Sequence, residues 1–210
     1  MVMLEHRLYT LADFFEGEGD RINELFASGL PYLHLRKPNS TLEQCQTLLE
    51  QIEPLYHRQI ILHQHWALGT ISKVGGLHWT EKQRAIIPIE DFAQEVAKQQ
   101  AKGYQVGTAI HHPQQLEIVP LTIDYVTVSP VFESISKPNY QAHYHWKNKG
   151  TYPFTLVALG GIAPNKLAAV YARGFRSVAL LGAIWQPQTS ILKNYQQVWQ
   201  AIQQLEDPIH

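Results

Sequence analysis

Short apolar stretches recur along the chain, each bounded by polar or turn-forming residues. Eight are rich in branched or aromatic side chains and read as strands: Leu8–Leu11, Tyr32–Leu35, Ile60–Leu62, Gly76–Trp79, Val106–Ala109, Tyr125–Val128, Leu156–Leu159 and Val178–Leu181. Their starts recur about every 24 residues, room for a strand, a loop and a returning helix. Between them the period lengthens. From Leu42 to Tyr56, apolar or small residues fall at 42, 45, 48, 49, 52 and 55, close to a 3.6-residue repeat, with Ser40 and Thr41 as candidate N-caps. Asp91–Lys102 sets Phe92, Val96 and Ala97 on one stripe. Pro164–Arg173 reads as a helix stopped by Gly174, and Thr189–Leu205 as a terminal helix.

Eight strands alternating with helices predict a (β/α)8 TIM barrel spanning residues 1–210 as one domain. At 210 residues it sits near the lower end for that fold, leaving little room for insertions. The competing architecture is an open doubly wound sheet. No GxGxxG follows the first strand, which weakens its dinucleotide-binding form. Pro138–Pro153, with Tyr140, His143, Tyr144, His145 and Trp146, has no clear period. It reads as a connector replacing a helix or as a flap.

Composition then narrows the function. With 17 Lys+Arg against 18 Asp+Glu, the net charge of −1 gives no field for nucleic acid or an anionic membrane. A single cysteine, Cys45, excludes a disulfide framework and a cysteine-based zinc site, and reads as a small buried hydrophobe. No apolar run approaches the ~18 residues that span a bilayer, and the first residues, with Glu5 and His6, lack a signal-peptide core. A cytoplasmic protein is expected, with a homodimer as the candidate assembly.

In such a barrel the active site lies at the C-terminal ends of the strands. Those ends carry His34 and Arg36, His63 and His65, His78, His111 and His112, Ser134, Ser136 and Lys137, Gly160 and Gly161, and Leu181 and Gly182. Cationic or titratable groups dominate and carboxylates are scarce, so the mouth suits an anion, phosphate first. Glycines after the seventh and eighth strands fit that reading, because bare backbone amides cradle phosphate oxygens. Arg36 is a fork-shaped donor for a carboxylate or phosphate. Lys37 points to the opposite strand face and reads as a solvated lysine. Trp66, Trp79, Trp146 and Trp185 read as packing residues beneath loops.

Asp124-Tyr125-Val126, followed by Ser129-Pro130-Val131-Phe132-Glu133-Ser134-Ile135-Ser136-Lys137, resembles the signature of the thiamine phosphate synthase/TenI superfamily. So do Leu33–Arg36, Gly107–His111, Ala158–Ile162 and Gly174–Trp185. The resemblance covers roughly residues 30–186 and implies a (β/α)8 barrel acting on a thiazole phosphate. One activity in the superfamily couples a pyrimidine pyrophosphate to the thiazole phosphate with Mg²⁺. The other moves a proton on a carboxythiazole phosphate so that the ring becomes aromatic, without metal or cofactor.

Two departures bear on that choice. Synthases carry Asn-Asp after the third strand and a further Asp past the fourth, whereas this chain has His63-Gln64 and Gln83; Glu81 is the available substitute. Mg²⁺ prefers such hard oxygen ligands. The Arg-x-Lys pair that synthases use on pyrophosphate becomes Arg36-x-Pro38. Both departures favour the tautomerase branch. There the resemblance makes His111 the base, and an imidazole, titrating near ~6.5 in water, can accept and return a proton. Gly107, Ala109 and His111 share a face, and the small residues are expected to leave room for a ring. His112 faces away and reads as structural. Lys137, Ser134 and Ser136 are implied contacts for phosphate or carboxylate. Three alternatives stay open: a divergent Mg²⁺-dependent synthase, a hydrolase holding a transition metal through His63-x-His65 with His78 or His34, and a non-catalytic thiazole or thiamine phosphate sensor.

Overall fold

In the computed structural model, which describes residues 4–133, 144–150, 152–186 and 189–206, eight parallel strands pair in sequence order and close on themselves. They are β1 (Glu5–Tyr9), β2 (Tyr32–Leu35), β3 (Ile60–Leu62), β4 (Gly76–Trp79), β5 (Gln105–Ile110), β6 (Tyr125–Val128), β7 (Thr155–Leu159) and β8 (Ser177–Leu180). Pairing of Arg7 with Ala179 and Leu8 with Leu180 closes the barrel. The (β/α)8 barrel is therefore the architecture, and the open-sheet alternative falls.

Strand alternation sorts the side chains into two cores. Outward residues such as Leu8, Leu33, Val126 and Val178 form the larger one with the helices. Inward residues Tyr9, Ile61, Tyr125, Val157 and Ala179 form a small one inside the barrel. The interior is more polar than the Val/Ile/Leu layers usual in this fold. Arg7 lies inside it, its guanidinium 4.1 Å from the Tyr125 ring centroid and paired with Glu5 at 2.6 Å.

The helices are α1 (Glu18–Ala27), α2 (Leu42–Gln51), α3 (Leu68–Ile71), α4 (Glu81–Ala85), α5 (Ile89–Ala101), α6 (Leu167–Ala172) and α7 (Ile191–Glu206). Helix α2 starts as expected at Thr41, which caps it in a reciprocal box with Gln44. It does not run to Tyr56. Pro54 disfavours helical backbone in the residue before it, so Ile52 and Glu53 turn extended and a separate 3-10 turn covers Pro54–Gln59. Pro164–Arg173 likewise splits into a 3-10 turn and α6, stopped by Gly174 at φ +86°. Between β6 and β7 the described residues contain no helix. Of the stretch read as connector or flap, residues 138–143 and 151 lie outside the described ones; in the remainder Trp146 is buried and Tyr144 meets His112 edge-on.

Candidate active site

A cavity of about 620 Å³ opens where the strands end in sequence. Its lining keeps the parity of the inward strand faces: Tyr9, Arg36, His63, His78, Thr80, Ala109, His111, Ser129, Leu159, Gly161, Ala179 and Leu181. Pro38, Glu81, Lys82, Pro130, Gly160, Ile162 and Gly182 complete it from the loops. Of the expected site residues, the structure brings together Arg36, His111, Gly160, Gly161, Leu181 and Gly182. Ser134, Ser136 and Lys137 lie outside the described residues.

His111 stands just past β5 with 45% of its side chain exposed. Its Nδ1 lies 3.1 Å from the Ser129 carbonyl oxygen and 3.0 Å from the Ser129 hydroxyl. A carbonyl only accepts, so its bond with Nδ1 requires the hydrogen there and leaves the lone pair of the neutral ring on Nε2. That Nε2 is 3.7 Å from Glu81 Oε2. Glu81 opens α4, and its other oxygen accepts from the Gln115 side chain. Gln115 Oε1 in turn accepts from the backbone amides of His111 and His112 at 2.9 and 3.0 Å. Ser129, Glu81 and Gln115 thus fix one imidazole, and a proton taken up at Nε2 meets a carboxylate. Ser129 and Gln115 were missed in the sequence; Glu81 was considered only as a metal ligand.

Arg36 follows β2 and is exposed at the rim. Thr10 holds its backbone through Oγ1, which accepts from the Arg36 amide at 3.0 Å and reaches its carbonyl at 3.2 Å. Lys37 points away as alternation requires, but it is not solvated. It is fully buried, with Nζ 2.7 Å from both oxygens of Glu18 and 2.9 Å from the Asp13 carbonyl. Placing Lys37 in solvent overlooked α1, whose first residue Glu18 supplies the buried counter-charge.

The glycines after β7 form a tight turn that lines the cavity. Gly160 and Gly161 have φ of +99° and +64°, where side chains are disfavoured. A Cβ on Gly161 would strike the Glu133 carbonyl. Among the described residues, no acceptor is paired with the amides of Gly161, Ile162 or Gly182. The room expected above Gly107 is absent, because the Tyr125 ring fills it. The four tryptophans named above do not line the cavity; Trp79 is buried against Phe92 and Trp66.

The histidines are less concentrated at the rim than the strand ends suggested. His34, His63 and His78 are buried in the barrel, with His63 and His78 reaching the cavity lining and His34 beneath it. His34 Nδ1 is 2.9 Å from His63 Nε2, and His78 Nδ1 is 3.0 Å from the Tyr125 hydroxyl. Burial pushes His34 and His63 well below the usual imidazole range and His78 down to about 3, with Arg36 adding to the effect on His63 and His78. All three rings are therefore neutral, and among the described residues Arg36 and Lys82 are the cationic side chains in the lining. His65 does not share the face of His63. It adopts φ +54° and its Nε2 lies 2.9 Å from the Ser40 carbonyl. The partners of His63 are His34 and His78, one ring nitrogen from each lying within 4.8 Å of the others.

Magnesium is poorly served here. Gln83, at the expected Asp position, accepts from the Thr80 amide at 2.7 Å and donates to the His63 carbonyl at 3.3 Å, acting as a helix cap. Among the described residues Glu81 is the one carboxylate in the lining, and Gln115 already engages it. These donors do not make a hard-cation site.

Comparison with known proteins agrees with the fold. The family model described as thiamine monophosphate synthase (TMP-TENI) matches residues 13–184. The thiamine-phosphate synthase of Yersinia pestis is 27% identical over 186 residues, covering 81% of this chain and 83% of that one. That of Pectobacterium atrosepticum is 26% identical over 191 residues, covering 85% and 84%. Among solved structures, the thiamine phosphate pyrophosphorylase of Bacteroides thetaiotaomicron superposes with a TM-score of 0.72 at 23% identity, covering 97% of this chain and 99% of that one. These names are those of synthases, and the preference for the tautomerase branch finds no specific support in them. No described helix is long and apolar enough to cross a membrane.

Proposed function

The chain belongs to the thiamine monophosphate synthase family, and on that premise we propose that its cavity binds a thiazole phosphate and that His111 moves a proton on it. The phosphate lies against the amides of Gly161, Ile162 and Gly182, with Arg36 as a counter-charge at the rim. The observation that supports proton transfer is the setting of His111, with Nδ1 held by Ser129 and Nε2 turned to Glu81. Nε2 takes a proton from one ring atom, Glu81 stabilises the imidazolium, and the same proton returns to another ring atom. The reaction is an isomerisation that balances without a second substrate. An ultraviolet assay on the non-aromatic carboxythiazole phosphate follows formation of the aromatic ring. His111→Asn is expected to lower kcat by roughly 10²–10⁴-fold; unchanged turnover removes His111 from the mechanism.

The second reading is the synthase reaction, and the names of the relatives favour it over tautomerisation. It joins a pyrimidine pyrophosphate to the thiazole phosphate and releases pyrophosphate. Against it stand Gln83 as a helix cap and a single engaged carboxylate in the lining. Pyrophosphate release that requires both substrates and Mg²⁺ establishes it, and no release at saturating metal rules it out. Tight binding of thiazole phosphate with neither turnover identifies a sensor.

A further inference from the structure

The three buried imidazoles beneath the cavity play no part in the proton transfer above. We propose that His34, His63 and His78 form a site for one divalent transition-metal ion of the zinc type, with an open coordination position facing the cavity. The inference does not depend on the thiazole phosphate reading.

Two features support it. The first is composition: three imidazoles and no carboxylate suit zinc and its neighbours and not magnesium or calcium. Three protein ligands with a vacant fourth position also match the usual form of a reactive zinc centre. The second is geometry. Zn–N bonds of about 2.0–2.1 Å in a tetrahedral arrangement put neighbouring nitrogens roughly 3.4 Å apart. Here one nitrogen from each ring already lies within 4.8 Å of the others, and the closest pair, His34 Nδ1 and His63 Nε2, is 2.9 Å apart. Small tilts of rings on rigid strands reach coordination distance. The Tyr125 hydroxyl at His78 Nδ1 can hold the hydrogen on that atom and direct the Nε2 lone pair, as an outer-shell partner does for a metal-bound histidine.

His34 Nε2 and His63 Nδ1 are buried with no hydrogen-bond partner. In the His34–His63 bond the accepting ring carries its own hydrogen on one of these nitrogens, and both carry one when His34 Nδ1 and His63 Nε2 face an ion. Nearby positive charge does not forbid an ion. The Arg7 guanidinium is paired with Glu5, and Arg36 is exposed at the rim. His63 and His78 both line the cavity, so the vacant position opens where solvent or a substrate oxygen enters.

The test uses full-length protein without a histidine tag. Metal-free protein is titrated with Zn²⁺ against a chromophoric chelator, and the zinc-loaded form is examined by X-ray absorption. One equivalent of zinc with three imidazole ligands is expected. His63→Ala and His78→Ala are expected to weaken zinc by more than the roughly 10–100-fold typical of outer-shell changes, with His65→Ala unchanged. The absorption spectrum of unmutated protein keeps the test valid if a variant fails to fold. Absence of stoichiometric zinc, fewer than three imidazoles on the ion, or equal loss in His65→Ala overturns the proposal.

Discussion

His6 offers a stability prediction that reaches from one strand to the last helix. Its side chain points outward from β1, is 2% exposed, and places Nε2 2.9 Å from the Tyr195 hydroxyl of α7, with the Trp199 ring 5.3 Å away. Burial pushes its imidazole from the ordinary 6.5 down to about 4, and Tyr195 is pushed up and stays protonated. Between those two values the unfolded chain binds a proton that the folded chain refuses. The contribution is whole above about pH 6.5 and is lost as the pH falls towards 4. From pH 7 to pH 5 the unfolded histidine gains about 1.5 pH units of protonation while the folded one stays neutral, a loss of about 2 kcal/mol. That is a large part of a stability of roughly 5–15 kcal/mol. Urea unfolding of wild type and His6→Gln at pH 7, 6 and 5 isolates the effect, because the other histidines are common to both proteins. The wild-type loss is expected to exceed that of the variant by about 2 kcal/mol, roughly 1 M in urea midpoint for a slope near 2 kcal/mol/M. Equal losses in the two proteins would mean that His6 is not held neutral by burial, and the reasoning would fail.

Two further perturbations probe the rim and its supports. Gly161→Ala combines a left-handed backbone cost of about 1–2 kcal/mol with a collision against the Glu133 carbonyl, whereas Gly103→Ala, at φ +87° with open space around it, carries only the first. Calorimetry with inorganic phosphate is expected to show at least a tenfold loss for Gly161→Ala and none for Gly103→Ala; equal affinities would remove the β7 turn from the phosphate site. Lys37→Met leaves Glu18 buried without its partner and is expected to destabilise by about 3–5 kcal/mol. Adding Glu18→Gln should recover much of that in chemical denaturation, and no recovery would show that Lys37 acts through its contact with the Asp13 carbonyl.

The barrel was legible because parallel strands buried on both faces leave short apolar runs between turns. β2, β3, β4 and β6 have the expected bounds for that reason. β1 was placed late, since Glu5, His6 and Arg7 are polar; a strand holds them only because Glu5 pairs with Arg7 and Tyr195 receives His6. Helices α3 and α4 span four and five residues, too few to show a period, although Thr80 and Gln83 spell a capping box. In the site, Arg36, His111 and the glycine turns were readable from strand parity. Ser129 and Gln115 were not, because their roles arise from loops that meet only when the barrel closes.

The same closure decides where charge survives. Inward positions on or just past five short strands bring His34, His63, His78, Tyr9 and Tyr125 into one buried volume. Ionising any of them there means losing hydration without a matching counter-charge, so the imidazoles are held neutral and the Tyr9 phenol is pushed up to about 12. At the next inward position, two residues on, the environment changes: Arg36 and His111 emerge beside solvent, and among the described residues the amides of Gly161, Ile162 and Gly182 have no paired acceptor. An anion is therefore favoured at the rim and penalised below it, which supports the proposal of a phosphate at the glycine turns. The depth that the proposed ligand reaches is then set by the position at which inward side chains stop being buried, and in this chain that position falls between His34 and Arg36 on β2 and between Gly107 and Ala109 on β5.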